Sequence, residues 1–182
     1  MAYFDRFIVS NQLGASVVAF YTAPAEIIAR LGIIPGAFAR AIFPRLSASN
    51  IAIDRKKNKR IISLILLVVT LPILLLGTLL GDKFMTIWMG DSFSGVPSII
   101  LTILLVGFVF NSLAQIPFAS IQSRGFAKIT AYIHMFELVP YLLMLYFFIK
   151  HYGIMGAAFA WSIRMFVDYL ILSIVDKSID RR

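Results

Sequence analysis

The chain has no cysteine among its 182 residues. That excludes disulfides, thiolate nucleophiles and thiolate-bound metals or haem. Histidine occurs only twice, and no metal-site spacing, phosphate loop, nucleophile elbow or paired-carboxylate constellation is present. Charge is scarce as well: Asp, Glu, Lys and Arg make up 14%, against about 25% in an ordinary soluble domain. No connecting segment is long enough to hold a catalytic domain. These absences exclude a soluble globular protein and argue against an enzyme.

What the chain has instead is apolar length. Hydrophobic residues make up 60%, and they fall into five runs, at 17–45, 61–80, 96–122, 129–150 and 153–175. Each has the ~20 residues a helix needs to cross ~30 Å of hydrocarbon. In lipid every backbone polar group must be satisfied within the fold, which leaves helices and closed barrels. Continuous apolar runs, without the alternation of a barrel strand, select helices. The expected fold is therefore an all-α membrane protein of five transmembrane helices. Residues 1–14 are too short to span and lack the layout of a secretory signal. They are expected to be part of a further, truncated helix.

The net charge of +8 calls for no nucleic-acid partner, because the basic residues collect in alternate connections. Arg45, Arg55, Lys56, Lys57, Lys59 and Arg60 follow the first span. Arg124 and Lys128 follow the third, and Lys177, Arg181 and Arg182 end the chain. The positive-inside rule places these connections and the C-terminus in the cytoplasm. Phe84, Met85 and Trp88, at the outer end of the second span, suit either an interfacial belt or ordinary helix-end packing.

Function must then reside in polar groups inside the bilayer, where a charge costs at least ~2.5–3.5 kcal/mol and normally faces a partner or water. The second and third spans carry no charge and read as scaffold or lipid-facing helices. The first span carries Glu26, Arg30 and Arg40; the fourth carries His134 and Glu137; the fifth carries Arg164 and Asp168. Glu26–Arg30 and Arg164–Asp168 are i, i+4 pairs on one helix face. Such pairs either neutralise each other during insertion or line a hydrated path. His134 is open to two roles, a helix-contact hydrogen bond or a proton relay, and Arg40 is placed to snorkel toward the cytoplasmic surface. Pro24, Pro35, Pro44, Pro72, Pro97, Pro117 and Pro140 remove ladder bonds and kink helices. Gly32–Gly36, Gly77–Gly81 and Gly156–Ala160 have the small-xxx-small spacing of close helix contacts.

Residues 3–47, YFDRFIVSNQLGASVVAFYTAPAEIIARLGIIPGAFARAIFPRLS, resemble the seventh and eighth helices of Wzx-type polysaccharide flippases. These belong to the multidrug/oligosaccharidyl-lipid/polysaccharide exporter superfamily. The matching features are Asp-Arg-Phe late in one helix, a Leu-Gly turn followed by Phe-Tyr, and a Phe-Pro-Arg-Leu-Ser exit. Residues 152–164, YGIMGAAFAWSIR, resemble the start of the family's twelfth helix. The resemblance implies a bacterial inner-membrane transporter of two lobes around a central cavity, of which this chain is most of the C-terminal lobe. The N-terminal lobe would be a missing partner. The implied substrate is an undecaprenyl-diphosphate-linked oligosaccharide, moved to the outer leaflet for O-antigen or capsule biosynthesis. Arg6, Arg30 and Arg164 are the implied substrate contacts, since Arg offers a planar, always-charged fork for phosphate. Asp5, Glu26 and Asp168 would orient them or couple transport to protons or sodium; no other cofactor is implied.

Other readings stay open. A cation-coupled multidrug exporter of the same superfamily would want an acidic cavity, whereas the spans carry at least as many arginines as acids. A membrane polymerase would want a large outer loop rich in Arg or His. A non-transporting remnant or assembly protein is also compatible with a chain of this length.

Overall fold

The computed structural model describes residues 4–48 and 52–180. It is helical almost throughout: α1 (Phe4–Leu13), α2 (Ala15–Leu31), α3 (Ile33–Ala48), α4 (Ala52–Met89), α5 (Val96–Ser123), α6 (Ala127–Tyr152) and α7 (Ile154–Asp180), with a 3-10 turn at Asp91–Phe93. Five stretches are long and apolar enough to cross a membrane, α2 and α3 together forming the first. The all-α membrane fold expected from the apolar runs is what the chain adopts.

The break between α2 and α3 has a local cause. Pro35 has no N–H to give to the carbonyl one turn earlier, and its ring crowds that turn. Gly32, just before it, still donates to the Ile28 carbonyl at 2.9 Å, so the chain continues in the same direction. The opposite departure occurs in α4. The second span, expected at 61–80, is a 38-residue helix, about 57 Å long at 1.5 Å per residue. Its first turns carry the basic segment that the sequence places in a loop, and Lys56, Lys57 and Arg60 are exposed there. Its last turns run to Met89, leaving a short connection in which the Gly95 N–H donates to Asp82 Oδ1 at 2.8 Å.

α5 is the centre of the bundle. It packs against α2, α3, α4, α6 and α7, and Ile100, Leu104, Leu105 and Phe108 on it are fully buried. Of the two uncharged spans, α4 is lipid-facing, with Leu64, Val68, Leu75 and Leu79 exposed along one stripe. α5 is an interior scaffold and not a lipid-facing helix. Absence of charge could not separate the two, because both environments reject unpaired charge.

Glycine sits at three close crossings, and at two of them, Gly107 and Gly156, an added Cβ would meet backbone. A Cβ on Gly77 would collide with Leu105, and one on Gly156 would collide with the Phe148 carbonyl. The Gly77–Gly81 and Gly156–Ala160 spacings thus mark real contacts, α4 on α5 and α6 on α7. Gly32 and Gly36 meet only atoms of their own helix segment and make no such contact. The third crossing, α5 on α7, rests on Gly107, whose added Cβ would lie 2.8 Å from Ser162 Cα. There Ser162 Oγ donates to the Ile103 carbonyl at 2.7 Å. At the far end of α4, Phe84 and Trp88 are exposed, as an interfacial belt requires, while Met85 is fully buried and belongs to the core.

Candidate functional site

Two helical hairpins bring the intramembrane polar residues together. The first turns at Gly14, whose φ of +87° suits glycine. Residues equidistant from that turn come level, so the start of α1 lies beside the middle of α2. Tyr21 donates its hydroxyl to Asp5 Oδ2 at 2.7 Å, and Asp5 Oδ1 accepts the Arg6 backbone N–H at 2.9 Å. Arg6 Nη2 reaches Glu26 Oε1 at 2.6 Å. Asp5 and Tyr21 are buried, and the pairing satisfies a carboxylate that would otherwise be costly to desolvate.

The second hairpin turns at Gly153, again at positive φ. His134, Glu137 and Tyr141 recur at i, i+3, i+7 on α6 and face Arg164 and Asp168, one turn apart on α7. Arg164 Nε lies 3.9 Å from Glu137 Oε2, and its guanidinium sits 4.9 Å over the Tyr141 ring. His134 Nε2 is 3.4 Å from Asp168 Oδ1, and the imidazole stacks on Phe118 of α5.

These contacts revise the pairing expected from spacing. Glu26 pairs across the hairpin with Arg6, and no Glu26–Arg30 ion pair forms among the described residues. Asp168 lies against His134, and Arg164 against Glu137. Arg30 is exposed on α2 and Arg40 on α3. Five of the six expected site residues (Asp5, Arg6, Glu26, Arg164 and Asp168) thus join the clusters, and Arg30 stands apart. The balance of sign changes as well. The clusters hold Asp5, Glu26, Glu137 and Asp168 against Arg6 and Arg164, so the interior is richer in acids than the spans as a whole.

The α6–α7 cluster is loosely satisfied. His134 Nε2, both Glu137 carboxylate oxygens and Asp168 Oδ1 are buried without a hydrogen-bond partner among the described residues. The ion pairs stand at 3.4 and 3.9 Å, and the His134–Asp168 contact does not form a hydrogen bond. Unpartnered polar groups of this kind are expensive in a structural role and call for protons, water or a ligand. Cavities adjoin them on two sides. A groove of about 500 Å³ runs between α6 and α7, lined by Ile133, Phe136, Met144, Val167 and Ile171 with Glu137 and Arg164 in its wall. A pocket of about 230 Å³ between α5, α6 and α7 is lined by Asn111, Gln115, His134, Arg164 and Asp168. Arg164 belongs to both. No trio of His, Asp and Glu able to hold a metal ion occurs among the described residues.

A third charged cluster was not anticipated. Lys59 Nζ contacts Asp176 Oδ2 at 2.7 Å and Asp180 Oδ2 at 2.6 Å. Arg124 bonds Asp176 through Nη2 and Asp180 through Nη1, the latter at 2.7 Å. This alternating box ties the start of α4, the α5–α6 turn and the end of α7. It places the three connections that the charge pattern assigns to one side of the membrane at one end of the bundle.

No family model and no solved structure matches the chain. A curated protein does: the "Putative O-antigen transporter" of Shigella flexneri is 51% identical over 172 residues, 94% of this chain. The two are homologues. The resemblance to Wzx-type flippases carried by residues 3–47 and 152–164 is borne out by this match. With its five apolar spans, the chain is a multi-pass membrane protein related to an O-antigen transporter. It spans 41% of that relative's length. The relative is named as a transporter.

Proposed function

We propose that this chain forms one lobe of a flippase that moves a diphosphate-linked, lipid-borne oligosaccharide across the bacterial inner membrane, with its C-terminus in the cytoplasm. The relative's name supplies the oligosaccharide class. The observation that carries the reading is the position of Arg164 in the wall between an apolar groove and a polar pocket. An isoprenoid lipid has the same three parts in the same order: a hydrocarbon tail for the groove, a diphosphate for the guanidinium, and a glycan for the pocket. A diphosphate cannot enter hydrocarbon unaided, and a fixed guanidinium replaces lost hydration with charge-assisted hydrogen bonds. Arg6 and Arg30 are further contacts in this reading.

The surplus of acids fits coupling to protons or sodium, with Asp168 and Asp5 as the groups that exchange charge. It also removes the sign argument against a cation-coupled drug exporter, and the relative's name is what favours oligosaccharide. Alternating access of this kind needs a second lobe rocking against the first around a midplane site, so one lobe alone is expected to be inactive. The test replaces the matching part of the Shigella relative with this chain, in cells lacking their own O-antigen transporter. Restored surface polysaccharide from the hybrid, and none from this chain alone, supports the proposal. A hybrid that reaches the membrane and restores nothing refutes it.

A further inference from the structure

α5 carries three side-chain amides inside an uncharged helix, and they share one face. Asn111, Gln115 and Gln122 recur with Phe118 at i, i+4, i+7 and i+11, which on a 3.6-residue helix is a single stripe roughly 16 Å long. The stripe borders two cavities in succession. Asn111, Gln115 and Phe118 line the pocket of about 230 Å³ that holds Asp168. Gln115, Phe118 and Gln122 line a neighbouring one of about 370 Å³ that holds Arg40. Gln115 and Phe118 are common to both, so the two cavities follow one another along α5 from its middle toward its Ser123 end.

The side-chain amides of Asn111 and Gln115 have no hydrogen-bond partner among the described residues. Gln122 donates once, to Thr130 Oγ1 at 3.3 Å. A primary amide at bilayer depth is costly unless something in a cavity completes its two donors and its acceptor. We infer that this stripe binds the glycan portion of the cargo, a reading that rests on the function proposed above. The chemistry selects sugar hydroxyls over diphosphate. Amides both donate and accept, as vicinal hydroxyls require, and carry no charge for phosphate. Phe118, whose ring is covered on one face by His134, has its other face for the C–H side of a pyranose ring, and Asp168 adds an acceptor for paired hydroxyls. The length of the stripe matches a short chain of sugars better than a single small molecule. It lies on the polar side of Arg164, away from the apolar groove.

The test measures binding to the hybrid with the Shigella relative, in lipid nanodiscs, with two probes, undecaprenyl diphosphate and the same carrier bearing an oligosaccharide. The glycosylated carrier is expected to bind at least tenfold tighter. Asn111→Leu with Gln115→Leu, and separately Phe118→Ala, should abolish that difference while leaving the sugar-free carrier within twofold. Wild-type binding that ignores the glycan, or variants that weaken both probes equally, would overturn the inference and leave the flippase reading intact. Failure of the wild type to bind either probe would overturn both.

Discussion

Arg124→Met should destabilise the bundle more than any surface change of the same size. Arg124 and Asp176 are only 9% and 7% exposed as side chains, and Asp176 and Asp180 both receive the guanidinium. Methionine keeps the apolar bulk and leaves two carboxylates to the single cation Lys59 near the C-terminal end of α7, where the helix dipole already disfavours negative charge. Breaking a buried pair by removing one partner costs about 3–5 kcal/mol. Lys59 still reaches both carboxylates at 2.7 and 2.6 Å, which puts the expectation at the lower end, about 3 kcal/mol. For a chain of this size that corresponds to a fall in Tm of about 6–12 °C. Heating the protein in lipid nanodiscs while following tryptophan fluorescence reads the transition, since Trp161 packs against the core. Adding Asp176→Asn to Arg124→Met should recover part of the loss, because it removes one of the two carboxylate charges. A fall of less than about 2 °C for Arg124→Met, equivalent to about 0.5–1 kcal/mol at most, would refute the view that the box is a buried latch.

Other expectations follow from the same contacts. Gly156→Ala should cost about 1–3 kcal/mol by overpacking against the Phe148 carbonyl, whereas Gly36→Ala, which meets only the Arg40 side chain at 3.5 Å, should be neutral; the same melting assay separates them. Tyr21→Phe should cost about 1–3 kcal/mol, since it leaves the buried Asp5 carboxylate short of a donor. A double-mutant cycle should give a coupling of up to about 1 kcal/mol between Arg6 and Glu26, modest because Glu26 is half-exposed, and none between Glu26 and Arg30. Single cysteines at Asn58 and Ser94 in this cysteine-free chain should label from opposite sides of the membrane with an impermeant thiol reagent, Ser94 from outside; labelling of Asn58 alone from outside would invert the proposed topology.

Much of the fold was legible because membrane helices announce themselves by length and apolarity. Those signals do not report on neighbours. The 96–122 run and the 61–80 run looked alike, yet α5 is the most enclosed helix and α4 faces lipid. Pairing was misread for a related reason. Glu26–Arg30 and Arg164–Asp168 share a face by spacing, but the hairpins at Gly14 and Gly153 bring Arg6, His134 and Glu137 close enough to compete, and opposite charges across a hairpin win over those along it. The box of Lys59, Arg124, Asp176 and Asp180 joins residues up to 121 apart in sequence. A usable signal existed there: the charge pattern placed their three connections on one side, and Asp176 and Asp180 recur at i, i+4 on a helix end that disfavours them. The α5 amides gave a fainter hint, since uncharged Asn and Gln pass through a search for intramembrane charge.

The central claim is that the Arg164 guanidinium, between apolar groove and polar pocket, receives the diphosphate of a lipid-linked glycan. Arg164→Lys tests it most directly, in the hybrid with the Shigella relative, because lysine keeps the charge and removes the planar two-pronged donor. The measurement is surface polysaccharide per hybrid molecule in the membrane. The account predicts at least a tenfold loss with membrane abundance unchanged. Export at the wild-type level from the hybrid carrying Arg164→Lys would contradict it, leaving Arg164 as a counter-charge to Glu137 and nothing more.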